Sequence, residues 1–246
     1  MCGICGFSGS QREQIDARAL ARHMLLGIEE RGRHATGVAW DNDGQTWLDS
    51  QAIPASAYVR HLPLDAGTKT FIGHTRWATQ GSPQNNDNNH PIDVRGIVGI
   101  HNGCIMNDDE LFEIIGPEKR IAQVDSEAIF AYLVHSGLDT TEALGHLSGS
   151  AAIAWYDVRD PDLLHLARVS SSPLILGETD GGSLLFASTE SCLNKSAKAM
   201  GLELVSVTST PEGTYLQVRG GEVVERASFE TESRTLTAME RRALNL

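Results

Sequence analysis

The sequence predicts an α+β domain in which stacked β-sheets are flanked by helices. Strand-like runs fall into two groups, and a block with helical periodicity separates them. No internal repeat or linker-like composition interrupts this order. The chain opens MCGICGF, a Gly-rich apolar run that reads as a strand. ARALARHMLLGIEERG then places Ala17, Leu20, Ala21, Met24 and Ile28 on one helical face and ends at Gly32. Strand candidates TGVAW (36–40), KTFIGHT (69–75) and GIVGIH (96–101) follow. The helical block comprises DDELFEII (108–115), DSEAIFAYLVHSG (125–137) and TTEALGHL (140–147). In the second of these, Ile129, Tyr132 and Leu133 share a face. Strands return as SAAIAWYDV, LLHLARV, PLILGE and SLLFAS, punctuated by DP, SSP and DGG turns. A helix around 190–200 and the strands LELVSV, TYLQV and EVVERASF complete one domain over residues 2–230. The remaining tail, 231–246, contains TAMERRALNL, a short amphipathic helix that packs on its own domain or docks on a partner.

A hydrophobic content of 41% over 246 residues is enough for a full core. The net charge of −12 speaks against direct binding of nucleic acid. No apolar run is long enough to span a bilayer, and no basic-then-hydrophobic leader opens the chain. The expectation is a cytoplasmic protein, with no membrane association, whose cysteines (2, 5, 104 and 192) are reduced thiols. Neither a metal nor a cofactor is expected. In CGIC the two thiols are three residues apart, on opposite faces of a strand, and no second ligand pair follows. Cys5 therefore reads as core.

Cys2 raises a different question. Removal of Met1 would leave one residue carrying both a thiol and an α-amine, a nucleophile with its own base. On position alone it is equally a buried cysteine opening a strand. Three other stretches bear on the choice. HNG (101–103) is either a tight turn between strands or an oxyanion site made by the Asn102 amide and the Gly103 N–H. GHTRWATQG (73–81) offers the Arg76 fork for a carboxylate, Trp77 as a flat wall, and Gly81 to let the loop move. Asp125 is a helix N-cap or a holder of an ammonium group. Taken together they describe a pocket for a free amino acid with an amide side chain.

At this point the chain resembles the class II glutamine amidotransferase domains, the N-terminal-cysteine members of the N-terminal-nucleophile hydrolases. The likeness lies in MCGICG, RGRHATG (31–37), GHTRWATQG with HP at 90–91, HNG, and DSE (125–127), and continues weakly through SSPLILG, FAS and EGT. Its motifs are closest to the glutaminase half of glucosamine-6-phosphate synthase. The resemblance implies a four-layer αββα sandwich, with Cys2, Asn102 and Gly103 catalytic. It implies a glutamine pocket of Arg76, Trp77, Thr79, His90 and Asp125, supported from behind by Arg31 and His101. It also implies that L-glutamine is hydrolysed through a Cys2 thioester, with ammonia passing to a separate synthase subunit. A free-standing hydrolase of another γ-glutamyl amide and a non-catalytic binding domain are the alternatives. Three departures stand out: His34 where the RG motif usually has Asp, Gln80 in place of a histidine, and the polar run NNDNN (85–89), expected to lengthen the loop over the site.

Overall fold

A computed structural model describes residues 1–42 and 44–231, and the expected tail helix at 237–246 lies outside the described residues. Two antiparallel sheets form the centre. The first has seven strands: β1 (Gly3–Ser8), β2 (Ala35–Asn42), β3 (Gln45–Gln51), β4 (Thr70–Arg76), β9 (Ile175–Thr179), β10 (Leu184–Ala187) and β11 (Leu204–Ser209). They lie in the order β11-β9-β10-β1-β4-β2-β3. The second has six: β5 (Ile92–Val94), β6 (Ile97–Ile105), β7 (Gly149–Asp157), β8 (Asp160–Ser170), β12 (Thr214–Arg219) and β13 (Glu222–Ser228). Their order is β13-β12-β8-β7-β6-β5. Helices α1 (Ala17–Ile28), α2 (Ala55–Tyr58) and α6 (Glu190–Met200) accompany the first sheet, and α3 (Asp108–Ile115), α4 (Ser126–His135) and α5 (Thr140–Gly145) the second.

Three separate cores make this a four-layer αββα sandwich. Leu20, Met24, Leu25 and Ile28 of α1, with Leu193 of α6, cover Cys5, Phe7, Val38 and Phe71 on the outer face of the first sheet. Phe112, Ile129, Phe130 and Tyr132 cover Ile105, Ile153 and Trp155 on the second. Between the sheets lie Ile4, Ile72, Phe186, Val98, Ile100, Ala152, Leu166 and Leu216. Each large apolar side chain so buried contributes about 1.5–3 kcal/mol. The helical face read from the sequence in α1 is fully buried, and Asp16 caps that helix by accepting from the Ala19 N–H at 2.9 Å.

Strand alternation positions the site. Ile4 faces the inter-sheet core whereas Cys5 and Phe7 face the helices, so the two-residue period carries the Cys2 side chain towards the gap between sheets. The same parity places Arg76 beyond Ile72 on β4, and Asn102 and Cys104 beyond Ile100 on β6. Antiparallel pairing of Gly3 with Thr75 and of Ala35 with Arg76 brings these strand ends together. Three elements went unread. β3 is an edge strand whose sequence, QTWLDSQ, has no inward apolar alternation because neither of its faces is fully buried. β5 and α2 are only three and four residues long.

Candidate active site

Cys2 is half-buried, immediately before β1, and its Sγ donates to the Trp77 carbonyl at 3.7 Å. Its own carbonyl accepts from Arg31 Nε at 2.8 Å, so Arg31 fixes the backbone that carries the thiol. With Met1 in place, burial pushes the thiol above its ordinary value, and the Asp125 carboxylate adds to this while Arg76 opposes it. Cys2, Arg76 and Asp125 are thus near enough to feel one another's charge.

The HNG segment is not a turn. All three residues lie within β6, paired in continuous register with β7 from Ile97↔Asp157 to Ile105↔Gly149. Gly103 has φ +150°, and a Cβ there would stand 1.9 Å from the Ser150 carbonyl oxygen, so no larger residue fits. Asn102 is 1% exposed and its Nδ2 has no hydrogen-bond partner among the described residues. A buried amide donor left unmade costs about 1–3 kcal/mol, which a bound oxyanion would recover.

Asp125 is likewise not the helix cap that its position suggested. It precedes α4 with helical φ/ψ and makes no side-chain cap bond. Its Oδ2 instead accepts from the Ile105 N–H at 2.6 Å, turning the carboxylate towards the end of β6. His101 closes the same junction from the other face: Nδ1 meets Ser126 Oγ at 2.9 Å, and its carbonyl meets His74 Nε2 at 3.1 Å. His90 stacks on His74 with ring centroids 4.0 Å apart, and both His90 ring nitrogens lack partners among the described residues. Burial lowers the pKa of all three imidazoles, His74 to about 3, so this wall of the site is uncharged at neutral pH.

Arg76 is 3% exposed and largely engaged within its own loop. Nη1 donates to Asn89 Oδ1 at 3.0 Å, while Nη2 donates to the carbonyls of Gln80 and, at 2.9 Å, Gly81. These three contacts leave Nε–H and one Nη1–H for a carboxylate. Trp77 is 42% exposed and packs on His34 with the rings tilted and their centroids 4.8 Å apart, and His34 Nδ1 accepts from the Ala78 N–H at 2.9 Å. The unusual His34 therefore fastens the start of the loop. Thr79 is exposed on the same loop. Gly81, expected to let the loop move, has φ +66°, and a Cβ there would lie 2.7 Å from Asn88 Cγ, so its smallness serves close packing.

One residue near Cys2 and Asp125 was missed. Cys104 shares the face of Asn102, and its pKa rises to about 12, through burial and then the carboxylates of Asp125 and Asp108, with a contribution from Cys2. The two-residue period from Asn102 was the signal that could have found it.

A four-layer sandwich with its cysteine at the head of a central strand is the architecture of an N-terminal-nucleophile hydrolase. Residues 74–195 match the glutamine amidotransferase domain family. Glutamine–fructose-6-phosphate aminotransferase (isomerizing) of Listeria innocua is 32% identical over 244 residues, which cover 94% of this chain and 39% of the relative. That of Geobacillus kaustophilus is 31% identical, covering 94% and 40%. The chain thus spans about two fifths of the length of these curated relatives. Among solved structures, the glutamine phosphoribosylpyrophosphate amidotransferase of B. subtilis superposes with a TM-score of 0.73 at 20% identity, covering 93% of this chain and 49% of that one. A glutamine aminotransferase class-II domain protein from Silicibacter pomeroyi gives 0.56 at 18% identity, covering 93% and 99%. The chain thus carries a glutamine amidotransferase domain, and its fold is that of the solved amidotransferases.

Proposed function

We propose that the chain hydrolyses L-glutamine to glutamate and ammonia, with Cys2 as nucleophile, and that it supplies the ammonia to a separate acceptor enzyme. The observation that carries this reading is the unpartnered Asn102 Nδ2, buried on the same inter-sheet gap as the Cys2 thiol. While Met1 remains attached, the Cys2 nitrogen is an amide and cannot act as a base. Its removal would create an α-amine with an ordinary pKa of about 7.7–8.0. Burial, and secondarily Arg31, already hold the Met1 ammonium below its ordinary value, and the same surroundings would favour the free base on Cys2.

In the proposed reaction this amine takes the thiol proton and the thiolate attacks the glutamine δ-carbonyl. Asn102 Nδ2 and the Gly103 N–H hold the oxyanion. The leaving nitrogen takes the proton from the α-ammonium and departs as ammonia, leaving a γ-glutamyl thioester. A water molecule, deprotonated by the same amine, attacks the thioester, and the returning proton regenerates the thiol as glutamate leaves. The substrate α-ammonium would be held by Asp125 and its α-carboxylate by the remaining N–H groups of Arg76. Trp77 and Thr79 would border the entrance, and His90 would line the neutral wall.

The acceptor is supported only by the curated relatives, whose names describe amino transfer to fructose 6-phosphate and of which this chain matches a part. Intact-mass measurement on active protein should show loss of one methionine, and glutamine should yield equimolar glutamate and ammonia. Full activity in chains that wholly retain Met1 would exclude the α-amine as base. Preference for another γ-glutamyl amide over glutamine would shift the assignment to a free-standing amidohydrolase.

A further inference from the structure

The polar run 85–89 and Gln123 form a brace that no part of the proposed chemistry uses. Residues 77–91 contain only a single helical turn at Asn86–Asn88, so most of their backbone groups need partners from elsewhere. Four consecutive carbonyls obtain them from side chains. Arg76 donates to those of Gln80 and Gly81, Asn88 Nδ2 to that of Ser82 at 3.1 Å, and Asn89 Nδ2 to that of Pro83 at 2.7 Å. Asn89 Oδ1 in turn accepts from Arg76, and Asn86 Nδ2 ties the outer end to the Ser50 carbonyl at 3.1 Å.

Asn88 then reaches across to the other half of the site. Its Oδ1 accepts from the Gln123 N–H at 2.8 Å, and its Nδ2 meets Gln123 Oε1 at 3.4 Å. Gln123 stands two residues before Asp125, and the preceding backbone is held by Glu127, which accepts from the N–H groups of Ile121 and Ala122 at 3.0 and 2.7 Å. Asn88 is fully buried and Asn89 is 2% exposed, so the brace is shielded from water at its Asn88 end, while Gln123 faces solvent.

We infer that Asn88 is a positioning residue that fixes the loop bearing Arg76 relative to the segment bearing Asp125, and so sets the span that receives the α-carboxylate and α-ammonium of the substrate. This rests on the glutaminase reading for its substrate, but not for its geometry.

The test compares Asn88→Ala, Asn88→Asp and Gln123→Ala in the full chain. Asn88→Ala should raise KM for glutamine about tenfold with kcat within about twofold, the size expected for losing buried hydrogen bonds. Asn88→Asp keeps the acceptor for the Gln123 N–H and should recover part of that loss. Gln123→Ala should be non-additive with Asn88→Ala. Hydrogen exchange without substrate should show lost protection of the Gln123 amide in Asn88→Ala, while the amides of α1 stay protected. An unchanged KM in a variant whose Gln123 amide has lost protection would overturn the positioning role. Retained protection in Asn88→Ala would overturn the brace itself. Absence of glutaminase activity in the unmodified chain would count against the proposed function, and the exchange measurement would then decide the brace alone.

Discussion

The two sides of the site differ in how their hydrogen-bonding capacity is used. On the strand side, Asn102 keeps a buried amide donor unpaired among the described residues, beside a glycine whose conformation admits no side chain. On the loop side, Asn88 and Asn89 are as deeply buried, yet both their oxygens and their nitrogens are engaged by neighbouring chain. The same residue type at the same burial thus serves two ends. An unpaired buried donor indicates a group still to arrive, whereas a fully paired one indicates scaffold. Burial alone would not have separated them.

Substitutions can break or sharpen this contrast. The largest effect is expected from Cys2→Ala, which should remove about 10⁴-fold or more of kcat while leaving glutamine binding measurable by calorimetry. Asn102→Ala should lower kcat by about 10²–10³ with little change in KM. It should not lower the denaturation midpoint by more than a few tenths of a kcal/mol equivalent, because no partner is left behind. Asn88→Ala, in contrast, strips the partner from the Gln123 N–H and leaves the Ser82 carbonyl only its bond from the Asn85 N–H, and should cost about 1–3 kcal/mol in denaturant unfolding. Equal stability losses for the two alanine variants would erase the distinction. Arg76→Lys should raise KM and loosen the loop together, since an ammonium group cannot reproduce the fork that joins Asn89, Gln80 and Gly81.

The smallest effect concerns pH. His74, His90 and His101 have folded pKa values below 6.5, so the unfolded chain binds more protons than the folded one as pH falls below that value. Stability present above pH 6.5 should therefore be lost from there downward, for His74 towards about pH 3. The loss should be about 1.4 kcal/mol for His74 at one unit below 6.5, with His90 and His101 acting in the same direction, measured by urea unfolding at pH 7.5 and 5.5. A flat profile across that interval would show that the histidine wall accepts protons without penalty.

Much of the strand side was legible because it rests on local rules. The period of α1, the alternation of β1 and the identity of Cys2 can each be read over a few residues. Asn102 and Asp125 were both expected near Cys2, and their local settings were misread. HNG forms no turn because β7 supplies a full-length partner for β6. Asp125 caps no helix because the Ile105 N–H offers its carboxylate another donor. The loop side was not legible. NNDNN reads only as a polar lengthening of the loop over the site until tertiary closure brings Gln123, thirty-five residues away, against Asn88. The hydrogen bonds that define the brace link segments whose spacing follows no helical or strand period.

The position of β1 has a consequence for how such a domain can be joined to others. Gly3 is enclosed by Thr75 Oγ1 and Ile28, with room for no side chain, and β1 is paired on both edges by β4 and β10. The proposed nucleophile, Cys2, therefore cannot slide along its strand or trade places with a residue further in. Anything attached ahead of Cys2 converts its amine to an amide. A purification tag, a reporter or a catalytic partner can be fused to this domain without silencing it only beyond β13, and a non-cleavable amino-terminal tag should yield folded but inert protein.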